Sequence, residues 1–139
     1  MNDRLSRYPR SAGLDEADVQ LRLMQAGDEP GVAAFAAELP THDLLFLRRD
    51  ITVPKVLSAW IEELQAGTIT SLVAMQGDEV VGCTAVVVDP RSWSPHVGEL
   101  RVLLARSMRE KGLGRALIQE SFALALSLGL EKLTAQMTA

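Results

Sequence analysis

The chain has 139 residues, 47% of them hydrophobic and 23% charged, with a formal charge of −4. That length fits one domain with a core of its own, and the acidic balance does not suggest a nucleic-acid partner. The single cysteine, Cys83, leaves no intramolecular disulfide, and no apolar run approaches the ~20 residues that span a bilayer.

The start of the chain carries Arg4, Arg7 and Arg10 with no continuous apolar face and no apolar stretch of the signal-peptide kind. Residues 1–13 therefore read as a flexible tail, and 14–139 as a single domain of a cytoplasmic protein. From Val19, the alternation of Val19, Leu21 and Leu23 against Gln20 and Arg22 predicts a first strand. Asp28 reads as an N-cap, with Glu29 and Pro30 in the first turn and Val32, Phe35, Ala36 and Leu39 on one face, and Pro40 stops that helix. Thr52 or Val53 with Pro54 opens a second helix, whose stripe is Val56, Leu57, Trp60, Ile61 and Leu64 and whose stop is Gly67.

Two strand-like runs, residues 69–76 and 80–89, meet across Gly77 and Asp78, a hairpin signal. A loop with Trp93 follows, then a strand over 97–105, a glycine loop, a helix from about Gly112 to Leu128 closed by Gly129, and a last strand over 130–137. The predicted order is strand, helix, helix, three strands, helix, strand.

The glycine loop is the stretch with chemistry in it. Arg109, Glu110, Lys111, Gly112, Leu113 and Gly114 stand between an apolar strand and a long helix. The first N–H groups of a helix lack intrahelical partners and the helix dipole is positive there, so an anion fits. Glycines let the backbone approach a phosphate closely. A Walker loop is absent, and the dinucleotide pattern GxGxxG has Leu117 where its third glycine belongs.

What remains is RxxGxG, with Arg109, Gly112 and Gly114 after "VLLARSM" and before "RALIQESF". This resembles the coenzyme A pyrophosphate loop of the GNAT superfamily of N-acetyltransferases. The element order resembles the same family from Val19 to the C-terminus, and "LGLEKLTAQMT" is similar to its fifth strand in bacterial members. The resemblance implies an α/β (α+β) chain with the GNAT-like acyl-CoA N-acyltransferase fold, a mixed sheet flanked by helices. A complete member continues past the fifth strand with a helix and two strands, so the resemblance also implies a C-terminally truncated domain. The stretch "FALALSLGL" agrees, being apolar nearly all round and expecting cover on both sides, and self-association into a homo-oligomer is the expected cover.

The resemblance implies acetyl-CoA as co-substrate and transfer of its acetyl group to a primary amine of a small molecule or protein. Family precedent places the acetyl group and pantetheine against the backbone of Val102, Leu103 and Leu104, and the pyrophosphate on the amides from Arg109 through Glu110, Lys111, Gly112, Leu113 and Gly114 to Arg115. Glu99, on the strand face opposite Leu100 and Val102, is the candidate base; its alternative is an ion pair with Arg101. His42 and Asp43 lie where the family often builds its acceptor site. Two histidines and one cysteine at these spacings form no metal pattern, so no metal is expected.

A second class of function stays open, a non-catalytic module that keeps the loop and binds coenzyme A or a partner chain. A third, a nucleotide-binding domain of another fold, has the missing Walker and dinucleotide features against it.

Overall fold

The computed structural model describes residues 8–14, 18–39, 51–88, 96–109 and 111–137. One sheet organises them, with strands β1 (Arg10–Ser11), β2 (Gln20–Leu23), β3 (Ile69–Thr70), β4 (Leu72–Gln76), β5 (Glu79–Val87), β6 (Val97–Leu104) and β7 (Lys132–Met137). Their order is β1-β2-β4-β5-β6-β7, with β3 paired to β5 beside β4. Every pairing is antiparallel except β6 with β7, the pair joined by a helical crossover.

Helices α1 (Glu29–Ala37) and α2 (Pro54–Ala66) cover one face of the sheet and α3 (Leu113–Ser127) the other. Two apolar clusters follow from that layering. Val32, Phe35, Leu57, Trp60 and Ile61 meet Val73, Cys83, Ala85 and Leu103 on the first face. Leu113, Leu117 and Leu124 meet Leu21, Leu72, Leu100 and Val102 on the second. Helix α2 begins with Pro54 and ends at Gly67 in the left-handed region, as the sequence predicts.

The run expected as one strand over 69–76 is divided at Ser71. Its carbonyl accepts from the Met24 N–H at 2.9 Å, and its hydroxyl accepts from the Trp60 indole N–H at 3.0 Å. Thr84 Oγ1 then takes the Leu72 N–H at 3.0 Å. Side chains thus satisfy the buried backbone where the ladder is interrupted. A bulge follows, since Ala74 faces Gly82 while Met75 faces Val80, leaving Val81 as the extra residue. The bulge sends Val80 to the α1 face and Val81 to the α3 face.

Two sequence expectations are corrected here. Asp28 stands at the N-cap position of α1, but its side chain makes no cap there. Its carboxylate turns back to accept the Gln25 N–H at 2.8 Å and a bidentate pair from Arg22 at 2.6 and 2.8 Å. Residues 8–13, read as part of a flexible tail, are placed: β1 pairs with β2, and Ala12 donates to the Val19 carbonyl at 2.8 Å.

Asp28 carries a pH prediction. Burial alone would raise its carboxyl; the hydrogen bonds from Arg22 and the Gln25 N–H, with the Arg22 charge, outweigh that and hold it below the usual carboxylate range. A lowered carboxyl stabilises the fold fully above its unfolded pKa of about 4 and loses that contribution as pH falls through the native value. In urea titrations the parent chain should lose more stability between pH 6 and pH 3 than Asp28→Asn. Equal losses would remove this pair from the acid response.

Ser121 is fully buried on α3, and its hydroxyl has no hydrogen-bond partner among the described residues. Ser121→Ala removes a desolvated polar group and raises helix propensity, so it should stabilise the chain by about 1 kcal/mol, read from the shift of the urea midpoint. The outer side of α3 presents Phe122, Leu126 and Leu128 to solvent, the apolar surplus visible in the sequence.

Candidate functional site

Strand β6 leads through a turn of 3-10 helix, Arg106–Met108, to the glycine loop, and α3 opens at Leu113. Gly112 is the N-cap with φ of 89° and ψ of 0°, the left-handed region that glycine enters without penalty. The first intrahelical bond runs from the Ala116 N–H to the Gly112 carbonyl at 3.1 Å. The amides of Gly112, Leu113, Gly114 and Arg115 therefore have no acceptor inside the helix. Lys111, Gly112 and Arg115 are exposed, and Met108 and Leu113 are buried on either side as anchors.

The sheet sets the position of that helix start. A Cβ added at Gly82 would stand 3.2 Å from the Leu103 carbonyl and 3.4 Å from Leu113 Cδ2, so β5 lies directly beneath the first helical residue. A Cβ at Gly112 meets only Leu14 Cδ2 at 3.6 Å among the described residues beyond its chain neighbours. The outward side of the loop is thus open to a ligand.

Along β6 the two backbone edges do different work. Ala105 donates to the Val81 carbonyl at 2.9 Å, and Leu103 pairs with Cys83. By antiparallel alternation the N–H of Leu103 turns to β5, while those of Val102 and Leu104 turn to the β7 side. Pairing with β7 runs from Val97 opposite Lys132 to Val102 opposite Met137, so Leu104 lies past the last paired residue described. Of the three residues expected to meet the acetyl group, the side chains of Val102 and Leu103 are buried and that of Leu104 is half-buried.

Glu99 and Arg101 alternate with Leu100 and Val102 along β6, a strand paired on both sides. Arg101 Nη2 donates to Glu99 Oε1 at 3.1 Å, with the Arg101 side chain 10% exposed and that of Glu99 26%. The pair foreseen as the alternative for Glu99 is formed, and the carboxylate stays partly open to solvent. His42, Asp43 and Glu110 lie outside the described residues.

Two connected clefts went unforeseen in the sequence. One of about 410 Å³ lies between α1 and the β4–β5 turn, with Phe35 and Val80 in its wall and Glu38, Asp78 and Glu79 contributing carboxylates. A smaller one of about 210 Å³ shares Phe35, Glu38, Glu79 and Val80 and reaches Ala105, Arg106 and Ser107. The residues come from α1, the hairpin and the end of β6, separations that no local pattern spans.

Cys83 is fully buried, and burial pushes its thiol far up, the opposite of an activated nucleophile. Among the described residues no group of three or more His, Cys, Asp and Glu side chains can hold a metal, and no helix is long and apolar enough to cross a membrane.

A mixed sheet whose parallel pair is bridged by a helix, with a left-handed glycine at the helix start after the strand, offers an anion a seat at the helix N-terminus. The chain belongs to the acetyltransferase (GNAT) family, whose model matches residues 34–139. No curated protein matches the sequence.

The solved structures similar to it share the fold. The GNAT domain of S. lividans PAT superposes with a TM-score of 0.78 at 16% identity, over 94% of this chain and 78% of that one. An aminoglycoside N-acetyltransferase in complex with CoA gives 0.64 at 19% identity, over 86% and 77% of the two chains. The ribosomal-protein-alanine N-acetyltransferase of Brucella melitensis biovar Abortus 2308 gives 0.59 at 20% identity, over 86% and 80%.

Proposed function

We propose that this chain is an N-acetyltransferase that moves the acetyl group of acetyl-CoA to a primary amine of a small molecule or protein. The observation that carries the proposal is the left-handed Gly112 at the mouth of α3, directly downstream of β6 in a chain of this family. The amides of Gly112 to Arg115, which have no acceptor inside the helix, with the charges of Arg109, Lys111 and Arg115 beside them, suit a pyrophosphate. When bound, the coenzyme supplies a thioester, an acyl donor an amine can attack.

The residues of the chain then divide the work. The Leu104 N–H, turned away from β5, is placed to donate to a carbonyl oxygen as charge develops on it. An acceptor amine with an ordinary pKa of about 10 is protonated at neutral pH and must lose a proton first. Glu99 takes that role in this reading, directly or through water, with Arg101 orienting the carboxylate. The acidic cleft that abuts Ala105 supports a cationic amine as acceptor, and His42 and Asp43 are proposed as acceptor-binding residues.

The test is release of the coenzyme thiol from acetyl-CoA over a panel of cationic amines, with Glu99→Gln alongside. Turnover that falls by about two orders of magnitude in Glu99→Gln while the KM for acetyl-CoA holds supports the assignment. Saturable coenzyme binding without thiol release on any amine would favour the binding-module reading instead.

A further inference from the structure

We infer that the N-terminal segment Tyr8–Leu14 is a positioning element for the glycine loop, fastened to α3 at Glu120 and bearing on Gly112 through Leu14. The inference rests on the coenzyme reading only for what the loop holds.

Three contacts place the segment. Its backbone continues the sheet, with Arg10 opposite Leu21, Ser11 opposite Gln20, and Ala12 donating to Val19. Both oxygens of the Glu120 carboxylate face it: the Tyr8 hydroxyl donates to Oε1 at 3.1 Å, and Arg10 Nη1 stands 3.4 Å from Oε2. The Glu120 side chain is only 14% exposed, so the carboxylate is sheltered from water, while the Arg10 side chain is exposed. At the other end Leu14 Cδ2 lies 3.6 Å from where a Gly112 Cβ would be, and Tyr8, Ala12 and Leu14 pack against the cluster beneath α3.

The physical need for such an element lies in Gly112 itself. A glycine reaches φ of 89° easily and leaves it as easily. Lys111 and Gly112 are exposed, so between the buried anchors Met108 and Leu113 no side chain of the loop itself packs against Gly112 among the described residues. Leu14 closes the inner side of Gly112, and the Glu120 junction keeps Leu14 there. Loop amides held in one arrangement bind an anion without first being ordered.

If the segment positions the loop, loosening it lowers the fraction of chains with the loop in its binding form, and affinity falls by the same fraction. Leu14→Ala removes the contact at one end, and Glu120→Ala unfastens the other. The test is amide hydrogen exchange of residues 106–117 and of the β4–β5 hairpin in the full chain, followed by calorimetric titration with CoA.

The expected result for both variants is faster exchange in 106–117 with the β4–β5 hairpin unchanged, and CoA binding weaker by about tenfold. Unchanged exchange in 106–117 would overturn the inference. Exchange accelerated equally in the β4–β5 hairpin would overturn it as well, because the segment would then support the whole fold rather than the loop. If exchange responds as expected while the parent chain binds no CoA, the positioning role stands and the coenzyme reading fails.

Discussion

Gly112→Val should abolish saturable binding of coenzyme A, weakening it by more than about a hundredfold, while the chain stays folded. The backbone at this position has φ of 89°, where a β-branched residue is a genuine outlier at a cost of roughly 1–2 kcal/mol. A valine relieves that strain by rotating the peptide, and rotation re-aims the amides of Gly112 and Leu113. Each hydrogen bond to a charged group contributes about 1.5–3 kcal/mol, so losing two is enough for the stated effect. The fold itself has little to lose, since Gly112 is exposed and an added Cβ meets only Leu14 Cδ2, at 3.6 Å, among the described residues beyond its chain neighbours. Calorimetric titration of a variant with a cooperative urea transition reads the effect. Parental affinity in that variant would mean the pyrophosphate lies elsewhere.

Trp60→Ala should have the largest effect on stability, about 3–5 kcal/mol. Trp60 is 1% exposed in the cluster between α1, α2 and the sheet, and its indole N–H satisfies the Ser71 hydroxyl at 3.0 Å. Truncation leaves both a cavity and a buried hydroxyl without its donor. Against a total of 5–15 kcal/mol for an ordinary domain, that loss is a large share. Trp60→Phe keeps most of the volume and should cost less than half as much. Urea unfolding followed by far-ultraviolet circular dichroism compares the three chains; a loss below about 1 kcal/mol in Trp60→Ala would contradict this core position.

The parts of the fold legible in sequence are those written in short-range chemistry. Pro54 and Gly67 bound α2 because one lacks an N–H and the other tolerates the left-handed region. Gly77 and Asp78 mark the hairpin, and the RxxGxG spacing marks where β6 gives way to α3. These signals sit within a few residues of what they specify.

What stayed hidden depends on partners distant in the chain. The break at Ser71 exists because Met24 and Trp60 reach it from other elements. Asp28 is a nearer case: it reads as a cap, yet Arg22, six residues back on β2, claims its carboxylate. Arg10–Ser11 is too short to carry a period of two, and Tyr8 finds its acceptor 112 residues away. In the candidate site the same rule holds: the glycine loop could be read, while the approach of Leu14 to Gly112 and the clefts beside Ala105 required the assembled sheet.

The measurement that tests the central claim most directly is calorimetric titration of the 139-residue chain with acetyl-CoA, run at two temperatures so that a vanishing heat at one is not mistaken for no binding. One saturable site per chain, competed by free CoA and lost in Gly112→Val, is the result this account predicts. A folded chain that takes up no acetyl-CoA at either temperature would contradict it.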